Sequence, residues 1–140
     1  MKRIALLLTG LAAAVVLSGC GPDRPETIHV RGTVTFDGAA PPAEGMVYFA
    51  PVRAAEGFSR RPGQARFDTG GAFDVTSFGK GDGLVPGTYL VRVECWKTPP
   101  SMDNPGAGES YVAGDYEPET IEVSAESGTM DLTLDVPLAK

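Results

Sequence analysis

Hydrophobic and polar residues alternate along most of the chain after residue 27, which is the pattern of β-strands with one buried and one wet face. In the segment 129–136 every second residue is apolar, namely Met130, Leu132, Leu134 and Val136. No segment keeps a 3.6-residue apolar period, and glycine and proline recur too often for long helices. The pattern therefore predicts an all-β domain.

The alternation divides the domain into seven predicted strands, at about 28–36, 45–51, 64–68, 72–78, 88–97, 120–124 and 129–136. Two sheets of this kind, packed face to face, form a β-sandwich. In the fifth strand Tyr89, Val91, Val93 and Cys95 share the apolar face, so Cys95 is expected to be buried. Two long connections remain, 53–63 and 98–118, and long loops are often functional or mobile.

The beginning of the chain has a different composition. Two cations precede an apolar stretch over 4–17, which is typical of an export signal. The stretch is shorter than the roughly 20 apolar residues of a membrane span. The sequence LSGC over 17–20 follows it and resembles a bacterial lipobox. The alternative is an uncleaved signal anchor with an incidental cysteine.

The lipobox resemblance implies that the Cys20 thiol carries diacylglycerol, that the bond between Gly19 and Cys20 is cut, and that the new amino terminus is acylated as well. Several acyl chains, such as palmitate, give the stable anchoring that one chain does not. The chain then divides into a signal peptide (1–19), the lipidated cysteine with a polar tether (20–26), and one domain (27–140).

Net charge limits the partners. The chain carries a formal charge of −6, and its leader holds two cations and no acids, so the mature part is more acidic still. An acidic exported domain is unsuited to nucleic acid, which requires clustered cations. We therefore expect a lipid-anchored, extracytoplasmic protein that meets the cell membrane through its acyl chains. Gly21 stands where an aspartate would be an inner-membrane retention signal in some bacteria, which favours the outer membrane.

Four segments of the domain carry a family resemblance: VRGTVTFDG over 30–38 with Pro41 and Pro42 after it, VYFAP over 47–51, FDTGGAF over 67–73, and GDGLVPGTYLVRV over 81–93. They resemble a carboxypeptidase-regulatory-like (transthyretin-like) domain. The resemblance implies a seven-stranded Greek-key β-sandwich that carries no catalytic residues. In carboxypeptidases the analogous domain sits beside a zinc enzyme, and nothing in this sequence supplies such an enzyme.

The residues that carry chemistry are few. A Cys–His nucleophilic pair would require His29 and Cys95 to approach each other, but the alternation places them on a wet and a buried face. Zinc needs several His or Cys ligands, and the mature chain offers one histidine and one unlipidated cysteine. We therefore predict no catalytic residue, metal or cofactor, and hence no enzyme. Tyr89 is expected to hydrogen-bond a nearby carbonyl, as in a tyrosine corner.

Two further groups of residues leave alternatives open. The turn carboxylates Asp68, Asp74 and Asp82 could converge on calcium, although such residues are usually turn formers. The cationic side chains of Arg53, Arg60, Arg61 and Arg66 could meet an anionic glycan or partner, or form a solvated loop.

Two functions follow. The first is a non-enzymatic, membrane-anchored module for interaction with envelope proteins or glycans, or for envelope structure. The alternative is an extracytoplasmic protein that binds a carbohydrate-type ligand through Trp96, Tyr111 and Tyr116 at the long loop. A binding protein would show these aromatics converging in an exposed cleft, and a structural module would bury them under the loop.

Overall fold

The computed structural model describes residues 24–140, which form strands and no helix, so no helix there could span a membrane. The strands are β1 (His29–Phe36), β2 (Gly45–Ala54), β3 (Gly63–Phe67), β4 (Ala72–Asp74), β5 (Gly87–Glu94), β6 (Trp96–Thr98), β7 (Glu109–Ser110), β8 (Glu119–Val123) and β9 (Thr129–Val136). The all-β prediction is confirmed, and each predicted strand has its counterpart. The predicted signal peptide and Cys20 lie outside the described residues.

The strands form a three-stranded sheet, β4-β1-β9, a four-stranded sheet, β3-β2-β5-β8, and a small ribbon, β6-β7. Neighbouring strands are antiparallel with one exception. The first and last strands, β1 and β9, run parallel, with His29 opposite Thr129 and Phe36 opposite Val136. The two ends of the domain sequence are therefore joined within one sheet.

Both larger sheets contribute to one hydrophobic core. The apolar residues of the first predicted strand, 28–36, are all buried: Ile28, Val30, Val34 and Phe36. Gly32 takes the remaining inward position of this strand. A Cβ there would lie 2.7 Å from Cζ of Phe73, so the absence of a side chain lets the Phe73 ring pack over β1.

Two strands end earlier than the alternation predicts. β4 ends at Asp74, since Thr76 then pairs with Gln64 of β3 instead of continuing along β1. β5 ends at Glu94, opposite Met46, because its partner β2 begins at Gly45. The chain next bonds to the long connection and forms the β6-β7 ribbon.

The domain has two ends, which we call the proximal end and the loop end. At the proximal end β1 begins, and Ile28 exchanges backbone hydrogen bonds of 2.7 and 2.9 Å with Leu84. At the loop end β5 finishes, and the long connection 98–118 meets the last residues, with the Ala113 N–H donating to the Pro137 carbonyl at 2.9 Å. The strands run between these two ends.

Candidate functional site

An open groove of about 690 Å³ runs along the edges of β3 and β4. Its ionisable lining side chains are His29, Arg31, Arg66, Lys80 and Asp74. Ala65 and Phe73, which belong to the core, also line it. The groove thus combines an apolar floor with a cationic rim in a chain whose net charge is negative.

The groove exists because β3 and β4 are edge strands of different sheets. β3 is joined to the segment after β4, where Gln64 and Thr76 exchange backbone hydrogen bonds of 3.0 and 2.8 Å. Farther along, the hairpin 68–71 carries the chain from one sheet to the other. Asp68 Oδ1 accepts the Gly70 N–H at 2.8 Å in that turn, as its sequence predicts.

Ion pairs occupy part of the cationic rim. His29 Nε2 lies 2.7 Å from Asp74 Oδ1. The Arg31 Nε–H donates to Asp131 Oδ1 at 2.7 Å, and this hydrogen bond raises the pKa of Arg31. Arg66 lies 3.9 Å from the Glu44 carboxylate, and Lys80 has no ion pair within residues 24–140. Arg66 and Lys80 are therefore the cations most available to a ligand.

The loop after β4 holds Lys80 at one end of the groove. Its centre is the Asp82 carboxylate, which accepts the N–H groups of Ser77 at 2.8 Å, Phe78 at 3.0 Å and Gly79 at 2.8 Å. Burial alone would raise the pKa of Asp82, but these donors outweigh it, and the pKa is lowered. The ionised carboxylate thus fixes the loop that presents Lys80.

The three turn carboxylates considered for calcium have separate partners. Asp68 binds the backbone of its own turn, Asp74 binds His29, and Asp82 binds the N–H groups of its loop. Within residues 24–140 no group of three or more His, Cys, Asp or Glu side chains is arranged to hold a metal ion.

The aromatic residues predicted to bind a ligand lie at the loop end in different environments. Trp96 is 38% exposed on β6, opposite Ser110. Tyr111 and Tyr116 are half-buried and pack against the core, and burial and the nearby Glu119 raise the pKa of Tyr116. Neither the groove nor a smaller cavity of about 250 Å³ includes these aromatics. Trp96 is thus the most accessible of the three.

Tyr89 and Cys95 belong to the core, as their positions in the alternation predict. The Tyr89 hydroxyl donates to the Val85 carbonyl at 2.7 Å, and burial raises the pKa of Tyr89 to about 12. Burial also raises the pKa of the Cys95 thiol, which lies 3.5 Å from the Ala43 carbonyl. Since His29 is on the other large sheet and bound to Asp74, it does not pair with Cys95.

The arginines grouped in the sequence analysis lie in different parts of the fold. Arg53 lines the smaller cavity, whereas Arg66 lines the groove. The Arg61 guanidinium stacks 4.3 Å from the Phe78 ring centre and donates to the Ser77 carbonyl. The cations of the groove come instead from β1, β3 and the loop after β4. The wet-face position of His29 was predicted from the sequence, but the convergence of these side chains depends on the crossing between sheets.

Comparison with known proteins gives no family. No protein-family model and no curated protein matches this chain. Among solved structures it is similar to a 9R-lipoxygenase from Cyanothece, with 16% sequence identity and a TM-score of 0.44. The similarity covers 83% of this chain and 18% of the lipoxygenase. At that level it supports no conclusion about fold or activity.

Proposed function

We propose that this protein is an envelope lipoprotein, anchored through Cys20, whose domain is a non-enzymatic interaction module. We further propose that the domain is a Greek-key β-sandwich of the transthyretin-like type. The sheet orders β4-β1-β9 and β3-β2-β5-β8, with a common core, support this finer description. The observation that carries the functional proposal is that the exposed apolar side chains of the loop end lie at the opposite end of the domain from Ile28, where the domain begins.

The tether is short. Residues 21–27 separate Cys20 from Ile28, a distance of at most about 25–30 Å in an extended chain. Ile28 is itself fixed by two backbone hydrogen bonds to Leu84. Acylated Cys20 would therefore keep the proximal end of the domain within about 25–30 Å of the bilayer.

The loop end is then the end of the domain farther from the anchor. β1 has 8 residues and spans about 26 Å between the two ends. The loop end carries exposed apolar side chains, among them Trp96 and Leu138, each 38% exposed, and fully exposed Met102. Exposed aromatic and apolar groups are the usual anchors of protein contacts. This is the surface at which an anchored module would meet an envelope partner.

The second candidate function is carbohydrate binding at the same end, and the exposure of Trp96 favours it. An exposed indole face can stack on a sugar ring. Because Tyr111 and Tyr116 pack against the core, such a ligand would rest chiefly on Trp96.

The anchor is tested by the intact mass and membrane fractionation of the wild-type chain and a Cys20→Ala variant. We expect an acylated, membrane-bound wild type and a variant that lacks the acyl mass and leaves the membrane fraction. A Cys95→Ala variant is the matched control, because it removes the other cysteine and should remain anchored. An unmodified, soluble wild type would contradict the proposal.

The interaction surface is tested by placing a photo-crosslinking residue at Trp96 in cells, with the same residue at exposed Arg92 on β5 as the control. Protein adducts specific to position 96 are expected. If position 96 gives none, and glycan binding is lost in Trp96→Ala, the carbohydrate function replaces the interaction module.

A further inference from the structure

We propose that the proximal end of the domain docks on the anionic headgroups of the bilayer through four cations, Arg24, Arg60, Arg61 and Lys80, which we call the proximal cation surface. The inference rests on the proposed anchor. A tether of about 25–30 Å lets the domain either stand away from the bilayer or lie on it. The proximal cation surface would favour the second arrangement.

The loop after β4 lies at the proximal end of the domain, because Leu84, just beyond it, bonds to Ile28. The Arg61 guanidinium is attached to this loop. It donates to the Ser77 carbonyl at 2.9 Å and stacks 4.3 Å from the centre of the Phe78 ring. A cation held in this way keeps a fixed place at the proximal end.

The other three cations lie close to the same loop. Nη1 of Arg24, in the tether, is 3.9 Å from the position that a Cβ of Gly79 would take. Lys80 follows Gly79 in the chain, and Arg60 precedes Arg61. All four cationic side chains are exposed. They therefore lie near the point at which the tether enters the domain.

No carboxylate neutralises the proximal cation surface by direct contact. None of its members forms an ion pair within residues 24–140, where the cationic partners of the ion pairs are His29, Arg31, Arg66 and Lys97. The carboxylate of the loop itself, that of Asp82, is occupied by three backbone N–H groups. The four cations are thus free to meet an external anion.

The loop end carries the opposite charge. Residues 98–118 contain four carboxylates and no cation. An anionic membrane surface attracts Lys and Arg side chains within about one Debye length, roughly 8 Å at physiological salt. It repels carboxylates over the same distance. The separation of charge between the two ends therefore turns the proximal end toward the bilayer, even though the chain is acidic overall.

The anchor identifies the anionic partner. Because the tether keeps the proximal cation surface within about 25–30 Å of the bilayer, headgroup phosphates are present at a high effective concentration. A soluble acidic protein has no such advantage. Lipid chains and a cationic surface would then act together, as two membrane-binding signals commonly do.

The test uses the acylated chain reconstituted in vesicles, with a donor fluorophore on Ser59→Cys and an acceptor dye on lipid headgroups. Ser59 is exposed beside Arg60, and buried Cys95 should not react with the label. We expect stronger energy transfer in vesicles of equal parts phosphatidylglycerol and phosphatidylcholine than in phosphatidylcholine alone. The difference should vanish in about 1 M salt, where the Debye length is about 3 Å. The same label on Met102→Cys, at the loop end, should show no such increase.

The triple variant Arg24→Gln, Arg60→Gln, Lys80→Gln removes three cations and keeps Arg61 with its contact to Phe78. On the anionic vesicles it should lower the ratio of docked to undocked protein about tenfold or more. Energy transfer from position 59 should fall accordingly to its value in neutral vesicles.

The control variant Arg66→Gln, Arg92→Gln, Lys140→Gln removes the same charge outside the proximal cation surface and should dock like the wild type. Equal energy transfer from position 59 in both kinds of vesicle, or equal docking by the two triple variants, would overturn the inference and leave the anchor intact. A wild type that does not stay on neutral vesicles would overturn the anchor and this inference with it.

Discussion

The Tyr89 hydroxyl is a buried donor with one partner, the Val85 carbonyl. Replacing Tyr89 with Phe leaves that carbonyl without its donor, which should lower the free energy of unfolding by about 1–3 kcal/mol. Urea denaturation followed by circular dichroism measures the change. Tyr48→Phe is the control, because Tyr48 is exposed on β2, and its effect should stay within about 0.5 kcal/mol. Equal effects of the two variants would contradict this role for Tyr89.

The same residue gives a prediction for alkaline pH. Burial raises the pKa of Tyr89 from 10.0 to about 12, so the folded state favours the neutral phenol. Its contribution to stability is complete below pH 10 and is lost as the pH rises through about 12. The wild type should therefore lose stability over this range more steeply than Tyr89→Phe. Parallel denaturation curves from pH 10 to 12 for the two proteins would contradict the expectation.

At the scale of elements, the loop after β4 depends on one ionised side chain. The donors from Ser77, Phe78 and Gly79 lower the pKa of Asp82 below 3.8, so its stabilising effect is present above that pH and is lost as the pH falls through the lowered value. Asp82→Asn should lower the free energy of unfolding by about 1–2 kcal/mol at neutral pH. Below neutral pH its stability should fall less steeply than that of the wild type. Backbone amide hydrogen exchange at residues 77–79 should be faster in Asp82→Asn than in the wild type.

Asp103→Asn serves as the control for this loop, since Asp103 is exposed in the long connection. It should leave both stability and the exchange of residues 77–79 unchanged. If Asp82→Asn kept the acid sensitivity of the wild type, the carboxylate would not be what fixes the loop.

Local alternation was sufficient to predict the strands of the two larger sheets and their buried faces, because burial on one side of a sheet imposes a period of two. It missed β7, which lies inside the predicted long connection. It was not sufficient for the strand ends. β4 ends before Thr76, which pairs with Gln64 of β3. β5 ends at Glu94, because its partner strand β2 begins at Gly45 and extends no farther. Both depend on pairing with distant parts of the chain. The parallel pairing of β1 with β9 could not be predicted either, because it also joins distant parts of the chain.

The candidate site was likewise predictable only where it depends on the local sequence pattern. The burial of Cys95 followed from its place in the alternation and is confirmed, and the next residue, Trp96, is exposed. The groove did not follow, because His29, Arg66 and Lys80 are far apart in sequence and meet only where the chain crosses between sheets. The cations that lie close together in the sequence, Arg53 to Arg66, are separated in the fold.

For the whole molecule, β9 is the element that completes the fold. It is a neighbour of β1 in its sheet and places Leu134 and Val136 in the core. Burying two such side chains contributes about 3–6 kcal/mol, which is comparable to the whole stability of a small domain. A chain that ends at residue 128 should therefore remain unfolded, whereas one that ends at residue 136 should fold. Circular dichroism and thermal melting of the two truncations test this, and a cooperative transition in the shorter chain would refute it.

The parallel pairing of β1 with β9 also determines when the chain can fold. His29 pairs with Thr129, so the central strand of its sheet lacks one neighbour until a segment about a hundred residues later has been made. A nascent chain cannot close this sheet before β9 has been synthesised. For the export that we propose, this delay would keep the chain open during translocation, and the domain would close only after its final strand has emerged.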